Sequence, residues 1–476
     1  MDSIVERCAG LDVGKRQVQA CVRVPDLGGG RRVEIKTFPT FTSGLELLAD
    51  WLDREGVTQV VMEATGQYWK PVWYVLEDRA FELMLVNARH VKILPGRKTD
   101  VADAAWLAEL LEHGLLRGSF VPPPPIRELR DLTRYRKKLV QARTAETQRV
   151  TKVLEDAGIK LDSVASDVLG VSGRAMIAAL IDGERDPDVL AELARGRLRV
   201  KLPTLREALR GRFRDHHAVM LRLGLEHLSQ LEHAIGELDD RIEKVITPFT
   251  RARDHLDSIP GVARRAAECL IAEIGVDMTQ FPTAGHLASW ACMCPGNNIT
   301  GGKRRSGRTR IGNPALRDIL TECAWAAART RGTYLSAQYW RLARRIGNKK
   351  AAIAVGHSIL VIAWHLLTND TDHDELGGDY FLRRHDNPIH QRDRHVKALR
   401  ELGYQVTLAQ AGQSRSGTPP GTGGPSGSTT WRSVGISGPL DPLVGDRPVV
   451  SLRDEVSASS TVNHGLCSVR ADHAPS

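Results

Sequence analysis

Residues 9–24 read AGLDVGKRQVQACVRV, and this stretch decides how the N-terminal part of the chain folds. The apolar residues at positions 18, 20, 22 and 24 alternate with other residues, as on a strand with one buried face. Gly14 and Lys15 precede them and supply a tight turn, so a first strand ends before this turn. Asp12 is therefore predicted to lie on a sheet.

Strands and helices alternate further along this region. The apolar run at 59–63 predicts a short buried strand that ends at a carboxylate, and residues 66–79 predict the helix that follows. A second buried strand is predicted at 82–86, and apolar residues at helical spacing predict a helix over 100–114. This alternation is typical of an α/β domain, which we place at residues 1–120.

The middle of the chain is predicted to be a helical arm, residues 121–250. Residues 122–125 are four prolines, which cannot continue a helix and predict a stiff, extended spacer. A long basic helix is predicted over 126–152 and another helix over 216–246. Two such helices in one region indicate a helical hairpin or a coiled-coil arm.

The last two regions differ sharply in composition. Residues 251–408 predict a helical domain rich in small residues, interrupted by a Gly-rich basic loop at 295–313. From 411 to 440, Gly, Pro, Ser and Thr supply 22 of 30 residues. Such a segment has too few apolar side chains to form a core, so residues 409–476 are predicted to be a disordered tail.

Composition limits the classes of function. Among the 476 residues, 66 Lys and Arg outnumber 57 Asp and Glu, and a formal net charge of +9 favours a polyanionic partner such as nucleic acid. The cysteines are scattered without a C-x-x-C pair, which fits a reducing compartment. No signal peptide is evident, and the apolar run 351–367 is short for a membrane span and predicts a core helix. We therefore expect a cytoplasmic protein without membrane contact.

Four carboxylates are the first candidates for chemistry: Asp12, Glu63, Asp100 and Asp103. They lie on a first strand, at the end of a later strand and at the start of a helix, elements that converge in one α/β domain. Four convergent carboxylates would repel one another unless divalent cations neutralise them. Oxygen ligands without His or Cys favour Mg²⁺ or Mn²⁺, and two such ions can catalyse transfer at a phosphodiester.

The loop at 295–313 is the second candidate. Its glycines allow the backbone to approach a phosphate chain closely, and it carries five cations: Lys303, Arg304, Arg305, Arg308 and Arg310. Thr300 and Ser306 are the two hydroxyls beside these cations. Either hydroxyl is a candidate nucleophile toward phosphorus, with the cations stabilising negative charge.

Two further segments are candidates for binding nucleic acid. The Pro-Gly turn at Gly261 leads into a predicted helix at 266–274, and backbone N–H groups at a helix N-terminus can hold a phosphate. The basic helix at 126–152 carries Arg134, Lys137 and Lys138 among its nine basic residues.

Each feature taken alone has a simpler explanation. A lone Asp after a strand is commonly a turn or cap residue, and Asp100 could merely complement a helix N-terminus. The Pro-Gly turn could be an ordinary helix–helix turn, and the basic loop could be a solvated surface loop. A purely structural role is harder to accept for Asp12 and Glu63, because they occur inside apolar strand runs, where an unpaired charge costs several kcal/mol.

These motifs, in this order, resemble the DEDD transposases of bacterial insertion sequences, which are related to the pilin-gene DNA invertases. The resemblance spans residues 8 to about 408. The matching segments are Gly10-Leu-Asp12-Val, Val61-Met-Glu63-Ala-Thr-Gly, Lys98-Thr-Asp100-Val-Ala-Asp103-Ala, Ile259-Pro-Gly-Val, Pro295-Gly-Asn-Asn, Gly302-Lys-Arg-Arg-Ser-Gly-Arg-Thr-Arg, Gly312-Asn313, Leu376-Gly-Gly-Asp-Tyr-Phe and Leu402-Gly-Tyr.

The resemblance implies an RNase H-like, resolvase-like N-terminal domain that holds the four carboxylates around Mg²⁺. It also implies a coiled-coil arm and a C-terminal helical domain whose hydroxyl joins covalently to DNA. The family has a serine nucleophile at the position of Thr300 here, and Ser306 is the second candidate.

The resemblance also implies partners. They are donor and target double-stranded DNA, a homo-oligomer (dimer or tetramer) in which another subunit completes the site, and a structured noncoding guide RNA. On the same analogy the basic helix at 126–152, with Arg134, Lys137 and Lys138, holds the RNA or DNA backbone. A bacterial, nucleoid-associated location follows. Two other functions stay open: a metal-dependent junction nuclease that does not rejoin strands, and an inactive nucleic-acid-binding relic.

Overall fold

The structure is a computed structural model. It describes residues 4–26, 28–64, 66–87, 103–295, 299–304, 307, 309–310, 312–385 and 388–408, apart from the side chains of 304, 384, 385, 388–391 and 394. The chain divides into one unit from Met1 to Gln405 and a second from Val406 to Ser476. The predicted tail at 409–476 lies outside the described residues.

A five-stranded sheet forms the N-terminal part of the fold. Its strands are β1 (Cys8–Val13), β2 (Gln17–Pro25), β3 (Arg31–Pro39), β4 (Gln59–Glu63) and β5 (Glu82–Val86). They lie in the order β3-β2-β1-β4-β5, with β1, β2 and β3 antiparallel and with β1, β4 and β5 parallel. The predicted strands are confirmed. β3 has no counterpart among them, because most of its residues are exposed and its alternation is weak.

Helices cover both faces of this sheet. On one face α1 (Thr42–Arg54) and α2 (Trp69–Leu76) pack against residues such as Leu11 and Met62. On the other face α3 (Asp103–Glu112) packs against Cys8 and Val61. α1 was not predicted, and α2 is shorter than the predicted 66–79. α3 ends before Gly114, whose φ of +63° confirms the predicted stop.

Two long helices form the middle of the chain, α4 (Pro124–Asp156) and α9 (Asp215–Ile246). Between them lie shorter helices: α5 (Leu161–Val164), α6 (Val171–Ile181), α7 (Pro187–Glu192), a 3-10 helix (Gly196–Lys201) and α8 (Leu202–Ala208). The prediction that residues 122–125 form an extended spacer is wrong for the last two prolines. Pro124 and Pro125 begin α4, because the first helical residues need no backbone N–H partner.

The remaining described elements are almost all helical. They are a 3-10 helix (Thr247–Phe249), α10 (Thr250–Asp257), α11 (Arg264–Ile274), α12 (Ala284–Trp290), β6 (Ile299–Thr300), β7 (Lys303–Arg304), α13 (Pro314–Arg329), α14 (Tyr334–Ile346), α15 (Asn348–Asn369), α16 (Tyr380–His385) and α17 (Pro388–Glu401). α11 begins two residues before the predicted helix at 266–274.

One hydrophobic core joins these helices to the base of the arm. It contains Leu270, Leu320 and Ile359 together with Ile126 of α4 and Ile246 of α9. α15 is long and apolar enough to cross a membrane by length and composition, yet part of it lies in this core. The prediction of a core helix at 351–367 is confirmed.

Candidate active site

Two of the predicted carboxylates lie at the ends of neighbouring parallel strands. β1 and β4 are paired in register up to Leu11 and Met62. Asp12 and Glu63 each follow this last pair by one residue. Because paired positions of parallel strands point to the same face, the two carboxylates lie side by side at the carboxyl edge of the sheet. Both residues are partly buried.

The face that carries Asp12 is the one covered by α3. Gly10 lies two residues before Asp12 and therefore on the same face. A Cβ atom on Gly10 would lie 2.3 Å from the carbonyl oxygen of Ala104 and 2.4 Å from the backbone nitrogen of Ala108. The backbone of α3 thus rests directly on β1, and a side chain at residue 10 would push it away.

This contact places the start of α3, where Asp103 lies, against β1. Asp103 is the residue before Ala104, and its Oδ1 atom is buried from solvent. Val61, two residues before Glu63, also packs against α3. The structure therefore brings three of the four predicted carboxylates to the α3 face of the sheet, at the carboxyl ends of β1 and β4. Asp100 lies outside the described residues.

The hydroxyl of Thr300 lies on a small hairpin. β6 and β7 pair antiparallel, with Thr300 opposite Lys303. Gly301 and Gly302 join them with φ of +56° and +73°, the left-handed conformations of a type I′ turn that glycine adopts without steric cost. Residues directly opposite on a hairpin point to the same face, so the hydroxyl and the ammonium group are neighbours. Both residues are exposed.

The loop that carries the hairpin is anchored at its carboxyl end. Arg310 donates hydrogen bonds to Ser289, to the backbone oxygen at 3.2 Å and to Oγ at 3.1 Å. Arg317 donates in turn to the backbone oxygen of Arg310. A Cβ on Gly312 would lie 2.6 Å from the Cβ of Cys292, so the loop can approach the residues just after α12 only with glycine here. Ser306, Arg305, Arg308 and the side chain of Arg304 lie outside the described residues.

A buried carboxylate that the sequence analysis did not select ties this loop to the arm. Glu273 of α11 is 2% exposed and accepts two hydrogen bonds of 2.8 Å from Arg134 of α4. It also accepts one of 2.5 Å from Nδ2 of Asn313, whose Oδ1 caps α13. Hydrogen bonds to Glu273 raise the pKa of Arg134, whereas burial lowers the pKa of the neighbouring Arg130. Only tertiary structure reveals this junction, because its members are far apart in sequence.

The three α4 cations predicted to bind nucleic acid therefore differ. Arg134 is held by Glu273, and Lys137 is 2.9 Å from Asp318 of α13. Lys138 is exposed and takes part in none of the ion pairs found among the described residues. Nucleic-acid binding by these cations stays a prediction, and Lys138 is the one that is most available for it.

Gly261 has a packing explanation. It lies in the turn between α10 and α11 with φ of +90°. A Cβ there would lie 2.4 Å from the backbone nitrogen of Ala327 and 2.6 Å from the backbone oxygen of Cys323, both in α13. The glycine lets the turn approach α13 closely. This contact accounts for the glycine without a bound phosphate, and phosphate binding at this turn stays a prediction.

Comparison with known families identifies the chain. Residues 9–159 match a family model described as a transposase, of the DEDD type found in IS110 elements. Residues 253–341 match a second one, described as the transposase of the IS116/IS110/IS902 family. The chain belongs to the IS110 family of DEDD transposases. The first match contains Asp12, Glu63 and Asp103, and the second contains the hairpin at 299–304.

Curated relatives agree with this membership of the IS110 family. A probable family 20 transposase of Pseudomonas aeruginosa is 27% identical over 320 residues, which are 66% of this chain and 84% of that protein. The transposase for insertion sequence element IS1111A of Coxiella burnetii is 25% identical over 317 residues, 65% of this chain and 77% of the relative. The resemblance inferred from the motifs is confirmed. This IS110-family chain is an insertion-sequence transposase, an enzyme that acts on DNA.

Membership of a DEDD family implies a divalent metal. A second group of side chains in this IS110-family transposase has the residue types of a metal site. Asp156, His216 and His217 have side-chain ligand atoms within 4.8 Å of one another. Nδ1 of His217 accepts the backbone N–H of Arg214 at 3.0 Å, which leaves its proton on Nε2, 2.9 Å from Asp156. This hydrogen bond lowers the pKa of Asp156. Both ring nitrogens of His217 are thus used: Nδ1 caps the start of α9, and Nε2 joins this helix to the end of α4.

Proposed function

We propose that this transposase cuts and rejoins DNA strands with two halves of an active site, a carboxylate half and a hydroxyl half. The carboxylate half consists of Asp12, Glu63 and Asp103, together with Asp100. The observation that carries the proposal is the common position of the first three at the carboxyl edge of the sheet, on the α3 face. An array of oxygen ligands fits Mg²⁺ or Mn²⁺.

The finer fold assignment is part of this proposal. The strand order β3-β2-β1-β4-β5, with three antiparallel strands followed by two parallel ones, supports an RNase H-like domain. The side-by-side packing of α4 and α9 supports a coiled-coil arm. Domain limits at 1–120, 121–250 and 251–408 fit these elements.

The proposed chemistry is a phosphoryl exchange that needs no external energy source. The Thr300 hydroxyl attacks the scissile phosphorus, a P–Oγ bond forms, and the P–O bond to the leaving deoxyribose breaks. The hydroxyl proton leaves Thr300 and the departing oxygen is protonated, so one phosphoester replaces another and rejoining is the reverse reaction. The bound metal would stabilise the attacking and leaving oxygens. Lys303, opposite Thr300, would stabilise charge on the phosphate.

We propose Thr300 over Ser306 because it occupies the position of the family's serine. We further propose that the two halves meet through oligomerisation, as a dimer or tetramer, so that one subunit supplies the carboxylates and another the hairpin. Exposed cations of α4, such as Lys138, would hold donor and target DNA or a structured guide RNA. Such an enzyme would work at the nucleoid of a bacterial cytoplasm.

A covalent-adduct assay tests the proposal. The full-length protein is incubated with Mg²⁺ and a DNA carrying the element's ends, and protein–DNA adducts are resolved by denaturing electrophoresis. We expect Asp12→Asn, Glu63→Gln and Thr300→Ala each to abolish the adduct and Thr300→Ser to retain it. Glu82→Gln is the matched control, because this exposed carboxylate starts β5 at the opposite edge of the sheet and should leave the adduct unchanged.

Other results would select the alternatives. Cleavage without an adduct, lost in Asp12→Asn but unaffected by Thr300→Ala, would indicate a metal-dependent junction nuclease. DNA binding without any change of the DNA by the wild-type protein would indicate an inactive relic. An adduct that survives Thr300→Ala and disappears in Ser306→Ala would move the nucleophile to Ser306.

A further inference from the structure

A second basic surface lies outside the loop at 295–313, at the turn between α14 and α15. We define the α14–α15 basic turn as Arg344, Arg345, Lys349 and Lys350. All four residues are exposed, and none takes part in the ion pairs found among the described residues. From Tyr334 to Asn369 the sequence contains no Asp or Glu. The surface therefore carries four positive charges that no acidic residue of its own helices neutralises.

The direction of the helices places this turn near the loop. Trp325 of α13 packs on Tyr339 of α14, and Ser336 donates a hydrogen bond of 3.0 Å to the backbone oxygen of Ala328. Earlier residues of α14 thus meet later residues of α13, so the two helices are antiparallel. The carboxyl end of α14 is therefore at the end of the bundle where α13 begins.

The rise per residue of an α-helix gives the distance, along the bundle axis, between the basic turn and the start of α13. Eleven residues separate Trp325 from Pro314, about 16 Å along α13, and seven separate Tyr339 from Ile346, about 10 Å along α14. The basic turn is consequently within about 6 Å of the start of α13 along the bundle axis. Because the loop with Thr300 and Lys303 leads directly into α13, the two basic surfaces share one end of the bundle.

The residues at the start of α15 do not favour the stability of this helix. Gly347, with φ of +82°, precedes the helix, and no side chain caps its first N–H groups. Lys349 and Lys350 lie in its first turn, where the positive end of the helix macrodipole repels cations. Unpaired N–H groups and two ammonium groups at one helix end provide the donors and charge that a phosphate requires.

We propose that the α14–α15 basic turn binds the phosphate backbone of the duplex DNA that the hairpin at 299–304 acts on. The inference rests on the proposed function, because position beside the hairpin favours DNA over RNA as the ligand. It extends that function by assigning a DNA-positioning role to four residues outside the basic loop. Their contacts carry no sequence information, since phosphates are the same in every sequence.

The test measures DNA binding without catalysis. Full-length protein is titrated into a fluorescent DNA duplex in EDTA, and Kd is determined by anisotropy at several salt concentrations. We expect Lys349→Gln/Lys350→Gln to raise Kd roughly fivefold or more and to reduce the slope of log K against log salt by about 1.8, or about 0.9 per lost phosphate contact. Lys349→Arg/Lys350→Arg should restore both quantities.

Arg329→Gln/Arg331→Gln is the charge-matched control. These two exposed cations lie at the other end of α13, so their loss should change Kd much less. Equal effects of the two double variants would overturn the proposal, as would weakened binding of a structured RNA with unchanged DNA affinity. The melting temperature distinguishes a DNA-binding role of the two lysines from a structural role. Removing the lysines from the start of α15 should leave the melting temperature unchanged or raise it. A lower melting temperature with unchanged Kd would also overturn the proposal.

The outcome is independent of the catalytic proposal. No catalytic metal is present in EDTA, so the Kd measured there does not depend on formation of the covalent adduct. An intact adduct assay with no effect of the lysine substitutions on Kd would reject only the DNA-positioning surface. Loss of binding on substitution, with no adduct in any preparation, would reject only the hydroxyl mechanism.

Discussion

The two halves of the proposed active site are positioned by different forces. In the sheet, backbone geometry places Asp12 and Glu63, since strand register and the contact of Gly10 with α3 leave little freedom. In the helical region, charged side chains place the hairpin loop: Glu273 binds Arg134 and Asn313, and Arg310 binds Ser289. The comparison predicts that the position of the hairpin loop depends on salt and pH more than the strand register of β1 and β4 does.

The largest expected effect tests the backbone contact in the sheet. Gly10→Val would place side-chain atoms against the backbone of α3, where a Cβ alone would be 2.3 Å from the oxygen of Ala104. We expect a loss of about 3 kcal/mol or more in the free energy of unfolding, because neither backbone can yield. Urea denaturation measures this change.

A second glycine provides the control for that experiment. Gly236 lies within α9 with no atom near its missing side chain. Gly236→Ala should stabilise the protein by up to about 1 kcal/mol, through helix propensity. If Gly10→Val unfolded no more easily than the wild type, the backbone contact would not position α3.

The next effect tests the ionic junction. Glu273→Gln would leave Arg134 and the largely buried Arg130 without their charged partner. Because Arg134 is 47% exposed, water replaces part of the lost interaction, and we expect a loss of about 2 kcal/mol in the free energy of unfolding. The loop should also become more accessible to limited proteolysis.

An exposed ion pair of α4, the helix that also carries Arg134, gives the matched comparison. Glu128 of α4 binds Arg241 of α9, and both side chains are largely exposed. Glu128→Gln should cost no more than about 0.5 kcal/mol. Equal costs for Glu273→Gln and Glu128→Gln would show that the buried junction has no special role.

The smallest effect concerns pH in the helical region. His255 of α10 hydrogen-bonds Asp372 at 2.6 Å and Asp370 at 3.0 Å. Burial acts to lower the pKa of His255, but hydrogen bonds to the two carboxylates outweigh it and raise the pKa. A histidine with a raised pKa in the folded state stabilises fully below its unfolded pKa of about 6.5 and loses this stabilisation as pH rises through the folded value.

Melting temperatures between pH 5.5 and 8.5 would measure this effect. We expect the wild-type stability to decline above about pH 6.5 more steeply than that of His255→Gln. Identical pH profiles of the wild type and His255→Gln would show that the contacts of His255 do not make the helical region sensitive to pH. A decline of the same size at Trp51 of α1, which packs against Phe38 of β3, would contradict the proposed difference between the two halves.

Much of the fold could be predicted because its signals are local. The apolar runs at 59–63 and 82–86 are strands at those residues, and the predicted helix at 216–246 begins one residue earlier in the structure. β3 escaped prediction because it is mostly exposed and its residues alternate weakly. α1 was missed although its buried residues Leu45, Leu48 and Leu52 recur at helical spacing. Pro124 and Pro125 were misread because a proline run favours both an extended segment and a helix start, and only the following helix distinguishes them.

The candidate carboxylates, the candidate hydroxyl loop and the family could all be recognised in the sequence, because residue type and order along the chain are enough to define motifs. Tertiary structure alone decided which charges are available. Arg134 and Lys137 are adjacent to Lys138 in a basic helix, yet acidic partners from α11 and α13 hold the first two. Charge pairing depends on distances between residues far apart in sequence, and those distances exist only after the chain has folded.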